Sequence, residues 1–236
     1  MDLTKIIEEE YPEMKDVHQN NLQHTKGVYE LVRIYELWID EIRDKKHLSS
    51  TYLKTEDNHD LVLLFHGLML GSTVEYTAED ITNFSVQLTT YERKEGFEKT
   101  GIFLSQLIYG DYMKNAGKSQ NKTYKLILSN LQKDLNLLGY ANQGNLYILG
   151  HVNENLGIGN QGTIFIEGDV NGEIYPYQRV YVEGNVRRVK EDFTIESGNI
   201  VISGIVKKSY REYNLEKKIK IDPSLVKQKK IELLQT

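Results

Sequence analysis

The chain contains no cysteine among its 236 residues. That removes disulfides, thiolate metal sites and thiol nucleophiles together. It also fits a cytoplasmic protein, and that location is the expectation. Proline is scarce, at three residues, against sixteen tyrosines. This balance favours strands over disordered linker. No long hydrophobic run exists: the longest, Leu61–Leu70, is interrupted by His66 and Gly67. A bilayer span needs about 20 residues, so no membrane segment is expected. The first ten residues have no basic flank with an apolar core, so no signal peptide is expected. The net charge of −5 argues against a dedicated nucleic-acid binder.

The first half carries helical periodicity. An acidic stretch, Ile6–Met14, is read as a short helix broken by Pro12. Val28, Leu31, Val32, Tyr35, Trp38, Ile39 and Ile42 step by three and four, the stripe of an amphipathic helix. Trp38 is read as a core anchor. Asp57, Asn58, His59 and Asp60 supply cap-type residues before Leu61–Leu70. Capping accounts for this cluster better than a metal site does. Because Leu61–Leu70 is apolar on nearly every side, it predicts a central buried helix with His66 inside it. Thr77, followed by Glu79 and Asp80, opens another helix whose inward stripe is Ile81, Phe84, Ser85, Leu88 and Tyr91. Thr100–Tyr109 is a short apolar helix, and Gly110–Thr123 reads as a loop. Gly117, Lys118 and Ser119 lack the spacing and context of a phosphate loop.

From Tyr124 the period changes to two, as Tyr124, Leu126 and Leu128 alternate with Lys125 and Ser129. One phrase then occurs twice. Leu138–Val152 reads LGYANQGNLYILGHV, and Leu156–Val170 reads LGIGNQGTIFIEGDV, offset by 18 residues. Two weaker cycles end at Val186 and Val206. The glycines Gly150, Gly168, Gly184 and Gly204 are separated by 18, 16 and 20 residues. A strand of five or six residues in each cycle is the mark of a β-solenoid, in which stacked neighbours bury what one repeat cannot. The columns Leu146/Ile164/Val180/Ile200, Ile148/Ile166/Val182/Ile202 and Val152/Val170/Val186/Val206 share one parity and face inward. Asn142 and Asn160 are placed to form an amide ladder. The opposite parity holds Tyr147, Phe165, Tyr181 and Val201. An outward aromatic column needs a cover, so these four residues form the candidate interaction surface. Docking of the helical half is the preferred cover. A protein partner, a second subunit or simple tolerated exposure are the alternatives.

The second phrase resembles the repeat of the glycine-rich GXGXG β-helix domains. These occur at the C-terminus of the glutamate synthase large subunit and in the C subunit of formylmethanofuran dehydrogenase. The resemblance covers about Leu135–Val206, and Gly157, Gly159, Gly162, Gly168 and Gly172 fall on the pattern. The methionine of that pattern is absent, and the third cycle loses its glycines around Ile174. The resemblance implies a structural module and carries no catalytic residue over.

Lys207–Lys230 holds nine basic residues against three acidic ones. This run reads as a solvated face, with an acidic partner or nucleic acid as the sharper alternative. Tyr213, Leu215, Ile219 and Ile221 fit one last strand. Pro223 and Ser224 start a short helix expected to cap the open end of the solenoid.

The expected fold class is therefore α+β: a helical domain over 1–123, a β-solenoid over 124–222 and a helical tail over 223–236. The expected role is a non-catalytic structural or protein-interaction module, with self-association as one form of it. No catalytic set, cofactor or metal ligand is assigned. The alternative is an enzyme or accessory subunit with a site between the halves, drawing on His66, His151, Asp169 and Glu167. A third reading, nucleic-acid binding through the basic segment, is disfavoured by the net charge.

Overall fold

The computed structural model describes residues 25–45, 48, 55–71, 74–115, 122–175, 179–189, 200–209 and 219–235. The expected 6–14 helix lies outside the described residues, as do Tyr213 and Leu215. Among the described residues four α-helices come first: α1 (Lys26–Asp44), α2 (Thr55–Leu70), α3 (Ala78–Gln87) and α4 (Thr100–Lys114). The strands follow as β1 (Thr123–Ile127), β2 (Asn145–Leu149), β3 (Thr163–Glu167), β4 (Val170–Ile174), β5 (Arg179–Val182), β6 (Val186–Val189), β7 (Ile200–Ile202), β8 (Val206–Ser209) and β9 (Ile219–Ile221). Helix α5 (Pro223–Leu234) ends the order.

The strands make a parallel β-solenoid. One face is a six-stranded sheet in the order β1-β2-β3-β5-β7-β9, and a second face is β4-β6-β8. The register joins the expected columns: Leu146 pairs with Ile164, Ile164 with Val180 and Val180 with Ile200. Val152, Val170, Val186 and Val206 are also linked in order, but in the second sheet. The middle cycles thus contribute two strands each, divided by the glycine. At that corner Gly150 has φ 134°, and a Cβ there would sit 2.7 Å from the Leu128 carbonyl carbon. Backbone is stacked on backbone at the corner, which leaves no room for a side chain.

The helices do not rank as the sequence predicts. Helix α4 is the central one, buried from Thr100 to Ile108. It also continues through Gly110 to Lys114, where a loop was expected. Its small residues explain its place against the first rung. A Cβ at Gly101 would lie 3.0 Å from Leu138 N, and Ser105 Oγ accepts from Tyr140 N at 3.3 Å. Helix α2 is instead peripheral. It starts at Thr55, so Asn58, His59 and Asp60 lie within the helix rather than before it. Leu61 and Phe65 reach the core, but Leu63 is 53% exposed and Leu70 89%. His66 is exposed, not buried. An all-round apolar sequence cannot reveal which of two such helices takes the centre, and α4 wins because its glycine and serine permit close approach.

The expectations for Trp38 and for the Thr77 cap hold. Trp38 is fully buried, and its Nε1 donates to Leu61 O at 3.4 Å. Thr77 and Asp80 form a capping box at the start of α3. One apolar core runs without interruption from Leu31 and Trp38 through Phe103 to Ile164 and Ile200.

Helix α3 also closes the first edge of the solenoid. An edge strand offers unpaired N–H and C=O groups. Thr82 Oγ1 donates to Lys125 O at 2.8 Å, and Ile127 N donates to Ser85 Oγ at 2.9 Å. Two hydroxyls thus stand in for a missing neighbouring strand. A buried amide without its acceptor costs about 1–3 kcal/mol. Ser85→Ala is expected to lower the unfolding free energy by that amount, read as a lower urea midpoint with an unchanged m-value. A shift below about 0.3 kcal/mol would show that Ser85 does not close the edge.

Candidate interaction surface on the solenoid

The outward column is built by register alone. Tyr147 pairs with Phe165, Phe165 with Tyr181 and Tyr181 with Val201. The rings of Tyr147 and Phe165 are parallel within 2°, with centroids 5.2 Å apart. Tyr147, Phe165 and Val201 are buried and Tyr181 is half-buried. Their cover is helix α5, which inserts Val226 and Leu233, with Leu225, Leu234 and Val86 of α3 around them. The helical half therefore contributes an edge of the cover, and the C-terminal helix contributes most of it. Helix α5 lies across the face of the solenoid and not over its open end. Length explains this: twelve residues extend about 18 Å, enough to cross about four strands at their ordinary spacing.

An ion pair pins the helix in place. Lys230 Nζ lies 2.5 Å from Glu167 Oε1 and 3.3 Å from Glu183 Oε2. Glu167 also accepts from the Tyr147 hydroxyl. Burial works against the charge on Lys230, and the bonds to the two glutamates outweigh it and raise its pKa. The clamp is accordingly in place below the ordinary lysine range and is lost only as pH rises through the raised value. Asp222 starts the helix by accepting from Leu225 N at 3.0 Å. Its bonds to Lys220, Ser224 and that amide hold its pKa well below the usual carboxylate range. The basic segment is thus partly neutralised, since Lys220, Lys229 and Lys230 all sit in ion pairs.

The residues considered for catalysis do not converge. Glu167 belongs to the α5 clamp, and His66 is exposed on α2. His151 and Asp169 are neighbours, but their contact is structural. Asp169 N donates to His151 Nδ1 at 3.0 Å. Asp169 Oδ1 in turn accepts from Asn185 N at 2.6 Å, and Asn185 Oδ1 accepts from Ile205 N at 3.1 Å. The residue after each corner glycine therefore accepts the amide of the next rung. Asn142 and Asn160 form the expected ladder, with Asn142 Nδ2 donating to Asn160 Oδ1 at 2.9 Å. Among the described residues no group of three or more His, Cys, Asp or Glu could hold a metal ion. None of the described helices is long and apolar enough to cross a membrane.

Two polar constellations escaped the sequence reading. Asp111 on α4 accepts from the Tyr124 hydroxyl at 2.9 Å and from Lys122 Nζ at 2.6 Å. This ties the helical half to the first strand. Burial, reinforced by the bond to Asp111, pushes the Tyr124 pKa up, so the phenol stays a donor. The second lies beside a cleft of about 830 Å³ lined by Lys26, Arg33, Glu75 and Asp80. Asp80 accepts from Thr25 Oγ1 and, at 2.9 Å, from Thr77 N, so it answers the N-termini of α1 and α3 together. A Cβ at Gly27 would come within 2.5 Å of its carboxylate. An internal anion already fills this positive corner. Both constellations join residues far apart in sequence, so spacing gave no sign of them.

No family model matches the chain, and no curated protein or solved structure matches it.

The α5 interface forms an apolar cluster separate from the main core, and such satellite units open locally. Lys230→Glu combined with Leu233→Asp is expected to release α5. Amide exchange over 223–234 should accelerate by about tenfold or more while β2 and β3 stay protected. Unchanged exchange would show that neither the clamp nor Leu233 holds the helix.

Proposed function

We propose that the chain is a non-catalytic interaction module whose solenoid serves as a scaffold. One observation carries this reading: the solenoid residues weighed as catalytic, His151, Asp169 and Glu167, are engaged in holding its parts together. His151 and Asp169 receive the amides of successive rungs, and Glu167 receives Lys230. A catalytic acid or base needs a free face toward a substrate. These groups instead have backbone or side-chain partners within the chain. The resemblance of the repeat to the glycine-rich β-helix domains, which are mainly structural modules, points the same way.

The recognition surface then has to lie where apolar groups are open. The outward column of Tyr147, Phe165, Tyr181 and Val201 remains a candidate whenever α5 is released. With α5 docked, large apolar side chains remain exposed at several places among the described residues, among them Leu63 and Leu70 on α2 and Tyr29 and Leu37 on α1. A surface of this kind marks an interaction site more often than it marks chemistry.

The test is thermodynamic. Catalytic groups are commonly replaced with no loss, or even a gain, of stability. A ladder member removed from beneath an amide destabilises. Asp169→Ala, which strips the acceptor from Asn185 N, is expected to cost about 1–2 kcal/mol in urea unfolding. Unchanged or increased stability would return Asp169 and His151 to the list of candidate reacting groups and sink the reading.

A further inference from the structure

We infer that α5 is an autoinhibitory strap: it occupies, within the chain, a groove that takes a basic amphipathic helix of a partner protein, and the partner binds by displacing it. The inference rests on the reading of the chain as an interaction module and gives the regulation of its recognition surface.

The groove is two side chains wide. One row is the outward column of Tyr147, Phe165, Tyr181 and Val201. Beside it, register places Ile127, Leu149 and Glu167 in a second row on the same face, and Glu183 follows on the next rung. The floor is therefore apolar, with two carboxylates along one edge. Val226, Lys230 and Leu233 of α5 stand at i, i+4 and i+7, on one side of the helix. Anchors at that spacing are how a groove reads a helix. The docked α5 thus shows which chemistry the groove accepts: apolar, basic, apolar.

The hold on α5 is slight. Of its twelve residues Val226 and Leu233 alone are buried, and Ile231 is 49% exposed. A helix of about 12 residues is marginal in water without packing. The strand that ties it to the stack, β9, has three residues, of which Lys220 and Ile221 are exposed. The apolar cluster beneath α5 is separate from the main core, so α5 can leave while the core stays closed. What it uncovers is a stacked aromatic pair in a continuous apolar strip, a surface that calls for a new cover.

Charge selects the occupant. Two carboxylates, Glu167 and Glu183, face the single Lys230, and the Glu183 side chain keeps 44% exposure. The neighbouring Lys229 is turned to Glu232 within α5. A second copy's α5 would bring the same shortfall. A partner helix with two basic residues at this point supplies the missing charge, and that difference favours it over α5.

Fluorescence anisotropy with a labelled peptide of residues 222–235 tests this on the full chain. The Lys230→Glu, Leu233→Asp variant, with its own α5 released, is expected to bind the peptide at least about tenfold more tightly than the parent, whose α5 competes at an effective concentration on the order of 1 mM. Glu232→Gln in the peptide frees Lys229 and should tighten binding about threefold, an advantage lost when the variant also carries Glu183→Gln. Amide exchange in the same samples reports whether α5 is open and β2 and β3 are closed. Where the double variant loses protection in β2 and β3, Lys230→Glu alone replaces it, with an expected gain of about threefold. A parent that takes up the peptide as readily as the variant overturns the proposal, as does an open variant that fails to take it up or a Glu232→Gln peptide with no advantage. So does a parent dimer, seen by light scattering, that the peptide dissociates, since the occupant would then be a second copy. The stability of Asp169→Ala judges the non-catalytic reading separately, so either can fail alone.

Discussion

Parallel stacking of short strands is the constraint on which the rest of the molecule depends. Each rung satisfies its own amides only by borrowing acceptors from the next, so the stack has two ends and a corner at every turn where backbone groups can be left over. The structure answers these needs locally. Thr82 and Ser85 of α3 close the first edge, glycines let the corner carbonyls approach, and His151, Asp169 and Asn185 receive the corner amides. The helical half is then more than an appendage. It shares the apolar core of the solenoid and is tied to it through Asp111 and Tyr124.

Much of this was legible in the sequence because the solenoid is a repeat. A period of two locates the inward columns, and repetition at 18 residues sets which residues are stacked, before any coordinate is known. Register follows from the repeat itself, so Ile148 over Ile166 and Tyr147 over Phe165 need no further information. Helix α1 and the cap at Thr77 were equally readable, since both are local patterns. The second sheet was less so. The valine column was evident, yet the glycine that separates it from the first strand looks the same in sequence whether the chain turns there or runs on.

What the sequence withheld was the arrangement of parts not repeated. Helices α2 and α4 are both apolar all round, and their order of burial depends on Gly101 and Ser105 meeting the first rung, a contact across more than thirty residues. The cover of the aromatic column was misassigned for a similar reason. The C-terminal helix has a weak apolar stripe, and its fit depends on Glu167 and Glu183 being stacked beneath Lys230. The candidate catalytic residues looked promising in one dimension because position after a corner glycine favours polar side chains. In three dimensions that preference is explained by the amide of the following rung.

The corner ladder also has a direction. Each side chain accepts the backbone amide of the rung after it, Asn185 also donating back to Asp169, and the series ends at Ile205, whose side chain has no acceptor to offer and is 60% exposed. The corner ladder therefore stops one strand short of the stack, since β9 still pairs with β7 beyond it. A repeat copied into the middle of the stack, between Gly168 and Gly184, would inherit a donor and an acceptor at its corner and pass the pattern on. The same repeat added after Gly204 would find an aliphatic residue where the acceptor should be. The polar series thus governs where a corner can be repeated, which is a separate matter from how many strands the sheet stacks.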